Sequence, residues 1–218
     1  MQLIGMLDSP YVRRVAVALI VGRIPFTHHP ISLFRHIDAF STFNPLLKAP
    51  TLVLDDGTTL MDSNVIMDVL SDEYPTIAAL VPGDRAERRR SARITGLALL
   101  VMEKAVQRHY ERALRPVERQ HAPWIERVMA QLTGGLAALD AELPPSDWIA
   151  GDLGAADIAA ACAIAFTQKI LEREIVDVGR WPNLVAFSAR AEALPAFRAA
   201  PCEDGVTAPL AVAEQQGA

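Results

Sequence analysis

The feature that most constrains the fold is a change of pattern at Pro75. Before it, short apolar runs alternate with helical spacing; beyond it, almost every segment is helix-like. QLIGML (2–7) is an apolar run closed by Asp8-Ser9-Pro10, and Tyr11 to Val21 is apolar around Arg13 and Arg14, which predicts a strand and then a helix. IPFTHHPISL (24–33) alternates as a strand does, and residues 50–56 and 58–62 flank Gly57 as a hairpin. SNVIMDVLSDEY (63–74) carries apolar residues at 65, 66, 69 and 70, a helical period. The predicted order is β-α-β-α-β-β-α over residues 1–78, then a proline-bearing connector with a linker at 79–85, then an all-helical domain at 86–218.

In that second domain, one helix is expected over 86–115, stopped by Pro116, and another over 123–142, stopped by Pro144-Pro145, with a bend at Gly134-Gly135. AADIAAACAIAFTQKIL (155–171) is apolar almost all round, so it belongs in the middle of a bundle. A further helix over 182–194 precedes a tail, 201–218, which lacks periodicity and is expected to be partly disordered.

A chain of 218 residues that is 51% hydrophobic can bury a substantial core. The net charge of −5 argues against nucleic acid or an anionic membrane as partner, because both demand a basic face. The basic run Arg85 to Arg93 includes Glu87 at a helix start and is expected to be a solvated face or interface rim. VAVALIV (15–21) is far too short to span a bilayer, no export signal is expected at MQLIGMLDSP, and two cysteines, Cys162 and Cys202, suit a reducing cytoplasm.

Three short features carry chemistry. Ser9-Pro10 is what a helix start looks like, with the hydroxyl as cap and proline in the first turn, yet the same hydroxyl could donate to a bound group. At Ala49-Pro50, a cis bond would turn the Ala49 backbone outward, leaving its N–H and C=O to pair with an extended peptide; an ordinary trans proline entering a strand is the alternative. Asp62-Ser63 opens the last helix of the first domain, where unpaired N–H groups suit a ligand carboxylate and Asp62 could take an ammonium; capping accounts for Ser63 equally well. In a β-α-β…β-β-α unit these three segments can meet at one end of the sheet.

Taken together, SPYVRRV, the NP-x-x-KAP-x-L turn, the Asp62-Ser63 pair, WIAGDLGAADIAAACAI and RWPNLVAFSARAEALPAF resemble a cytosolic glutathione S-transferase of serine type along nearly the whole chain. The resemblance implies a thioredoxin-like N-terminal domain followed by an all-helical bundle. Glutaredoxins, which share that N-terminal fold, carry C-P-Y-C in the same loop; here it reads Ser9-Pro10-Tyr11-Val12, so disulfide exchange by this loop is excluded and a borrowed thiol is implied.

Residue by residue, the resemblance assigns Ser9 to the glutathione sulfur, Lys48 to the glycine carboxylate, Ala49 to main-chain pairing, and Asp62 and Ser63 to the γ-glutamyl end. Tyr11, Met102, Val106, His109 and Tyr110 are the expected acceptor-pocket residues. Tyr11 is also the rival donor to the sulfur. Where the family has Ser or Thr three residues before the aspartate of its central helix, this chain has Gly154 before Asp157, and Asp157 is expected to be structural.

His28 and His29 are adjacent on a predicted strand and point to opposite faces, so no metal site is expected. The resemblance thus implies a cytoplasmic homodimeric transferase of detoxification type, with glutathione as co-substrate and an electrophilic, mostly apolar acceptor. The competing expectation is a non-catalytic module that holds glutathione or a protein partner.

Overall fold

The computed structural model describes residues 1–171 and 180–208. They form two compact units, one of Met1–Val81 with the described residues from Ala191 onward, the other of Pro82–Arg190.

The first unit holds a four-stranded mixed sheet built from β1 (Gln2–Ile4), β2 (Thr27–His29), β3 (Thr51–Val53) and β4 (Thr59–Met61), in the order β2-β1-β3-β4. β1 runs parallel to β2 and antiparallel to β3, which pairs antiparallel with β4. Between β1 and β2 runs α1 (Pro10–Val21), capped by Ser9 with Pro10 at its start. Its residues from Val12 to Leu19 are all buried, as an apolar helix requires, and Leu3, Ile4 and Leu52 supply the sheet's side of the core. The short helix α2 (Ile37–Ser41) precedes β3, and α3 (Ser63–Glu73) follows β4, burying Ile66, Met67 and Leu70 while Asp68 and Asp72 face away.

The expected strand and helix order is therefore present as a thioredoxin-like fold. Helix α4 (Pro75–Ala78) was not expected: it lies in the stretch that the sequence predicts as connector. Pro75 starts this helix rather than breaking one, because the first turn has no use for its missing N–H. Ile77 then closes over the end of α1, where a Cβ on Gly22 would lie 2.6 Å from its Cδ1.

In the second unit, α5 (Arg85–Leu114) is capped by Asp84, whose carboxylate accepts from the N–H groups of Ala86 and Glu87. It packs against α6 (Ala122–Glu142) and α7 (Ala155–Leu171). α6 runs through Gly134-Gly135 without interruption; Gly135 is buried instead, and a Cβ there would lie 3.0 Å from Val101 Cγ2, so it permits close approach of α5. The basic run is partly a staple: at the C-terminal end of α6 Arg90 donates to the Glu142 carbonyl and Arg93 pairs with the Glu142 carboxylate at 2.8 Å, and Arg90 also donates to the Ile149 carbonyl in the loop before α7.

α7 is buried on nearly every side, as its composition predicts. Asp157 in its first turn accepts from Ile149 N–H and from Gly154 N–H, each at 2.9 Å. Burial pushes its carboxyl up and these two N–H groups oppose the shift, so its role is to cap and to pin a loop. None of the described helices is long and apolar enough to cross a membrane.

The helix expected over 182–194 is α8 (Pro182–Glu192), and a further short helix, α9 (Pro195–Ala199), follows. The sequence places this end of the chain in the helical domain. The structure groups it from Ala191 onward with the first unit, because Phe197 and Ala200 are buried and α9 packs on α1. The expected disorder of the tail concerns, in its last part, residues 209–218, which lie outside the described residues.

Candidate active site

Register brings the three sequence features together. Thr51 of β3 pairs with Ile4 on one side and with Met61 on the other, so Ile4, Thr51 and Met61 form one rung across the sheet. Gly5 leaves the sheet from this rung towards Ser9, Ala49-Pro50 enters it, and Asp62-Ser63 leaves it. All three segments therefore lie at one end of the sheet.

Gly5, which sequence reasoning passed over, sets how closely they meet. Its φ is +137°, and a Cβ there would lie 2.6 Å from Val12 Cγ2 and 3.2 Å from the Ala49 Cβ. Only glycine allows the first turn of α1 and the Ala49 loop to approach the strand end in this way.

Ser9 is the N-cap of α1, with extended backbone and its Oγ accepting from Val12 N–H at 3.4 Å. That distance is long for an N–H···O bond, and it uses only a lone pair. The Ser9 hydroxyl hydrogen is donated to no acceptor among the described residues. Cap and donor are therefore not exclusive, because one oxygen serves both.

Ala49-Pro50 is a cis peptide bond. Neither the N–H nor the C=O of Ala49 is hydrogen-bonded among the described residues. Lys48 beside it is exposed, and its ammonium pairs with no carboxylate among the described residues.

At the start of α3 the cap is Asp62, not Ser63. Asp62 takes φ +71°, uncommon for a residue with a side chain, and its carboxylate accepts from Asn64 N–H at 2.8 Å. Ser63 is then the first helical residue and is buried, its Oγ accepting from Arg14 Nη1 at 3.2 Å. The same nitrogen donates to Asn64 Oδ1 at 2.7 Å. Arg14, 4% exposed on α1, thus adds a full positive charge to the partial charge of the helix end. Its signal in the sequence was a charge inside an otherwise apolar helix, which a buried partner must satisfy.

His28 braces the same loop from below. Its Nε2 lies 2.8 Å from the Gly5 carbonyl oxygen and its Nδ1 accepts from Thr207 N–H at 3.1 Å, so the neutral ring carries its proton on Nε2. Burial holds its pKa below the ordinary histidine value, and neighbouring His29 adds to this, against the Gly5 carbonyl.

Tyr11 is half-buried in the first turn of α1. On α5, Met102 is fully buried and belongs to the helical core, so it is not an accessible pocket wall. Val106 and His109 are half-buried and Tyr110 is 39% exposed, with the His109 and Tyr110 rings 6.0 Å apart.

The arrangement offers a hydroxyl at a helix start, an unpaired N–H and C=O at Ala49, a cation beside them, and a second helix start reinforced by arginine. Such a set can hold an anion at either helix start and pair with a ligand's main chain between them. Comparison with known proteins identifies the relatives of the chain. The family model for the glutathione S-transferase N-terminal domain matches residues 3–79, and that for the C-terminal domain matches residues 122–190. A maleylacetoacetate isomerase of Pseudomonas aeruginosa is 29% identical over 195 residues, 86% of this chain and 89% of its own length.

A glutathione S-transferase of Methylobacterium radiotolerans, solved with glutathione sulfonate, superposes with a TM-score of 0.83 at 28% identity, covering 96% of this chain and 97% of that one. Another, from Methylobacillus flagellatus with glutathione bound, gives 0.81 at 28% identity, over 91% and 98%. With both domain models matched in order, and a fold shared with these enzymes over nearly the full length, the chain belongs to the glutathione S-transferase family, whose general chemistry is glutathione conjugation.

Proposed function

We propose that this protein lays glutathione along the end of its sheet and uses Ser9 to hold the sulfur as a thiolate. The observation that carries this reading is the Ser9 hydroxyl, stationed at the N-terminus of the twelve-residue α1 with its hydrogen uncommitted. Ala49 pairs with the peptide main chain, Lys48 takes the glycine carboxylate, and Ser63 with the start of α3 takes the γ-glutamyl carboxylate, Asp62 facing its ammonium.

Magnitudes support the assignment. A thiol of pKa about 8.5 is only a few per cent ionised near neutral pH, and lowering it by about 2 units requires roughly 2.7 kcal/mol. A hydrogen bond to a charged group contributes about 1.5–3 kcal/mol. A helix N-terminus adds about 0.3–1 kcal/mol. The two suffice without a general base, since the hydroxyl stabilises the anion as an oxyanion hole would.

The sulfur lone pair then forms a C–S bond to an electrophilic, mostly apolar acceptor, and either a leaving group departs with its bonding pair or, at a conjugated double bond, the π pair shifts towards the adjoining carbonyl. Tyr11, Val106, His109 and Tyr110 are the acceptor-facing residues in this reading. The working form is a cytoplasmic homodimer with a detoxifying role.

Calorimetric titration with glutathione, paired with turnover of an acceptor panel that includes maleylacetoacetate, tests it. Binding in the micromolar to millimolar range with turnover of at least one acceptor is the expected result. Binding without any turnover would favour the non-catalytic module, and no binding would overturn the reading.

A further inference from the structure

The NP-x-x-KAP turn contains a buried residue to which the site described above gives no role. Asn44 is 4% exposed, and every polar atom of its side chain is engaged. Its Oδ1 accepts from Leu46 N–H at 2.9 Å, and its Nδ2 donates to Thr51 Oγ1 at 2.9 Å and lies 3.7 Å from Met61 Sδ. Its main-chain carbonyl accepts from Leu47 N–H, which helps to hold Leu47 at φ +50°. Thr51, fully buried, passes the chain of bonds on: its Oγ1 donates to the Lys48 carbonyl oxygen at 2.6 Å.

The direction of this relay is not ambiguous. An amide NH₂ can only donate and a carbonyl oxygen can only accept, so the single hydroxyl hydrogen of Thr51 must point at Lys48. The Lys48 carbonyl and the Ala49 N–H belong to one planar trans peptide unit, in which they point in opposite directions. Drawing the carbonyl in towards Thr51 therefore turns the Ala49 N–H the other way. That N–H is one of the two main-chain groups of Ala49 without a partner among the described residues.

We infer that Asn44, acting through Thr51, is a positioning residue that aims the Ala49 N–H at the main chain of bound glutathione. The inference rests on the assignment of Ala49 to main-chain pairing made above. It separates two functions within the site: Ser9 governs the ionisation of the sulfur, and the Asn44–Thr51–Lys48 relay governs how tightly the peptide is held.

Two near-isosteric variants break the relay without opening a cavity. Asn44→Asp keeps the acceptor for Leu46 N–H but turns Asn44's donor into an acceptor, so the Thr51 hydrogen is drawn away from the Lys48 carbonyl. Thr51→Val removes the hydroxyl, and Thr51→Ser restores it. Each full-length variant is checked by circular dichroism, then titrated with glutathione by calorimetry, and the pKa of the bound thiol is read from its ultraviolet thiolate band. Asn44→Asp and Thr51→Val are expected to weaken glutathione binding about tenfold with the bound thiol pKa unchanged, while Thr51→Ser stays within about twofold of the parent.

Folded Asn44→Asp or Thr51→Val protein with parental affinity would overturn the inference. So would a thiol pKa that rises along with the loss of affinity. If only one of the two variants folds, it decides alone. If neither does, while Thr51→Ser folds and binds as the parent does, the relay is structural and the inference fails. Absence of glutathione binding by the parent protein would instead defeat the assignment on which the inference stands, and the inference with it.

Discussion

Arg13 and Glu192 meet through two parallel hydrogen bonds, of 2.6 and 2.7 Å, and the arginine side chain is wholly buried. The same guanidinium donates through Nε to the Ala200 carbonyl at 2.6 Å and lies over the Phe197 ring, 5.4 Å from its centroid. The clamp fastens the chain beyond Ala191 to α1, four residues along from Ser9. Glu192 is itself about one-third exposed, and the arginine keeps its carbonyl partners when the carboxylate is removed, so the cost lies below that of breaking a fully buried pair. Glu192→Ala is expected to lower stability by about 1–3 kcal/mol, and Glu192→Gln, which keeps a carbonyl oxygen for the guanidinium, by less. Chemical denaturation with unchanged m-value checks both.

His28 should make stability depend on pH. Its pKa is lowered in the folded protein, chiefly by burial, so the unfolded chain binds the proton more readily. Its contribution is therefore present above the unfolded histidine value of about 6.5 and is lost as pH falls from there towards the lower folded value. A protonated ring would also set an Nδ1–H against the Thr207 N–H that this nitrogen now accepts. Between about pH 7 and pH 5 the parent is expected to lose more stability than His28→Gln, a difference measured by urea denaturation at each pH.

Tyr11 separates acceptor recognition from thiolate stabilisation. If Ser9 is the donor, Tyr11→Phe leaves the pKa of the bound thiol unchanged. Its effect falls on the choice among acceptors, read as ratios of kcat/KM across the panel. A rise in thiol pKa of about 1 unit or more in Tyr11→Phe would make the phenol the donor instead.

Much of this architecture was legible because it rests on local pattern. The strand-to-helix passage at Ser9-Pro10, the hairpin about Gly57 and the all-round apolar α7 each follow from spacing within a dozen residues. Asp157 was legible for the same reason, since a cap acts on its own turn. What the sequence did not show depends on partners far along the chain. Arg13 and Glu192 are 179 residues apart, and nothing near either one announces the other. Arg14 reaches Ser63 across 49 residues, and His28 reaches Thr207 across 179.

Gly5 belongs to the same class, because its need for a missing Cβ arises only when Val12 and Ala49 are brought against it. α4 was missed for a different reason: proline stops a helix from within but starts one from its first turn, and pattern alone did not distinguish the two at Pro75.

The central claim is that the Ser9 hydroxyl, at the start of α1, holds the sulfur of bound glutathione as a thiolate. The most direct test is to titrate the thiolate absorbance of glutathione bound to the parent and to Ser9→Ala, at saturating glutathione, across the neutral range. In the parent the bound thiol should ionise about 2 units below the free value of about 8.5, and in Ser9→Ala it should return at least about 1 unit towards it. An unchanged thiolate titration in Ser9→Ala, with glutathione still bound, would contradict the account.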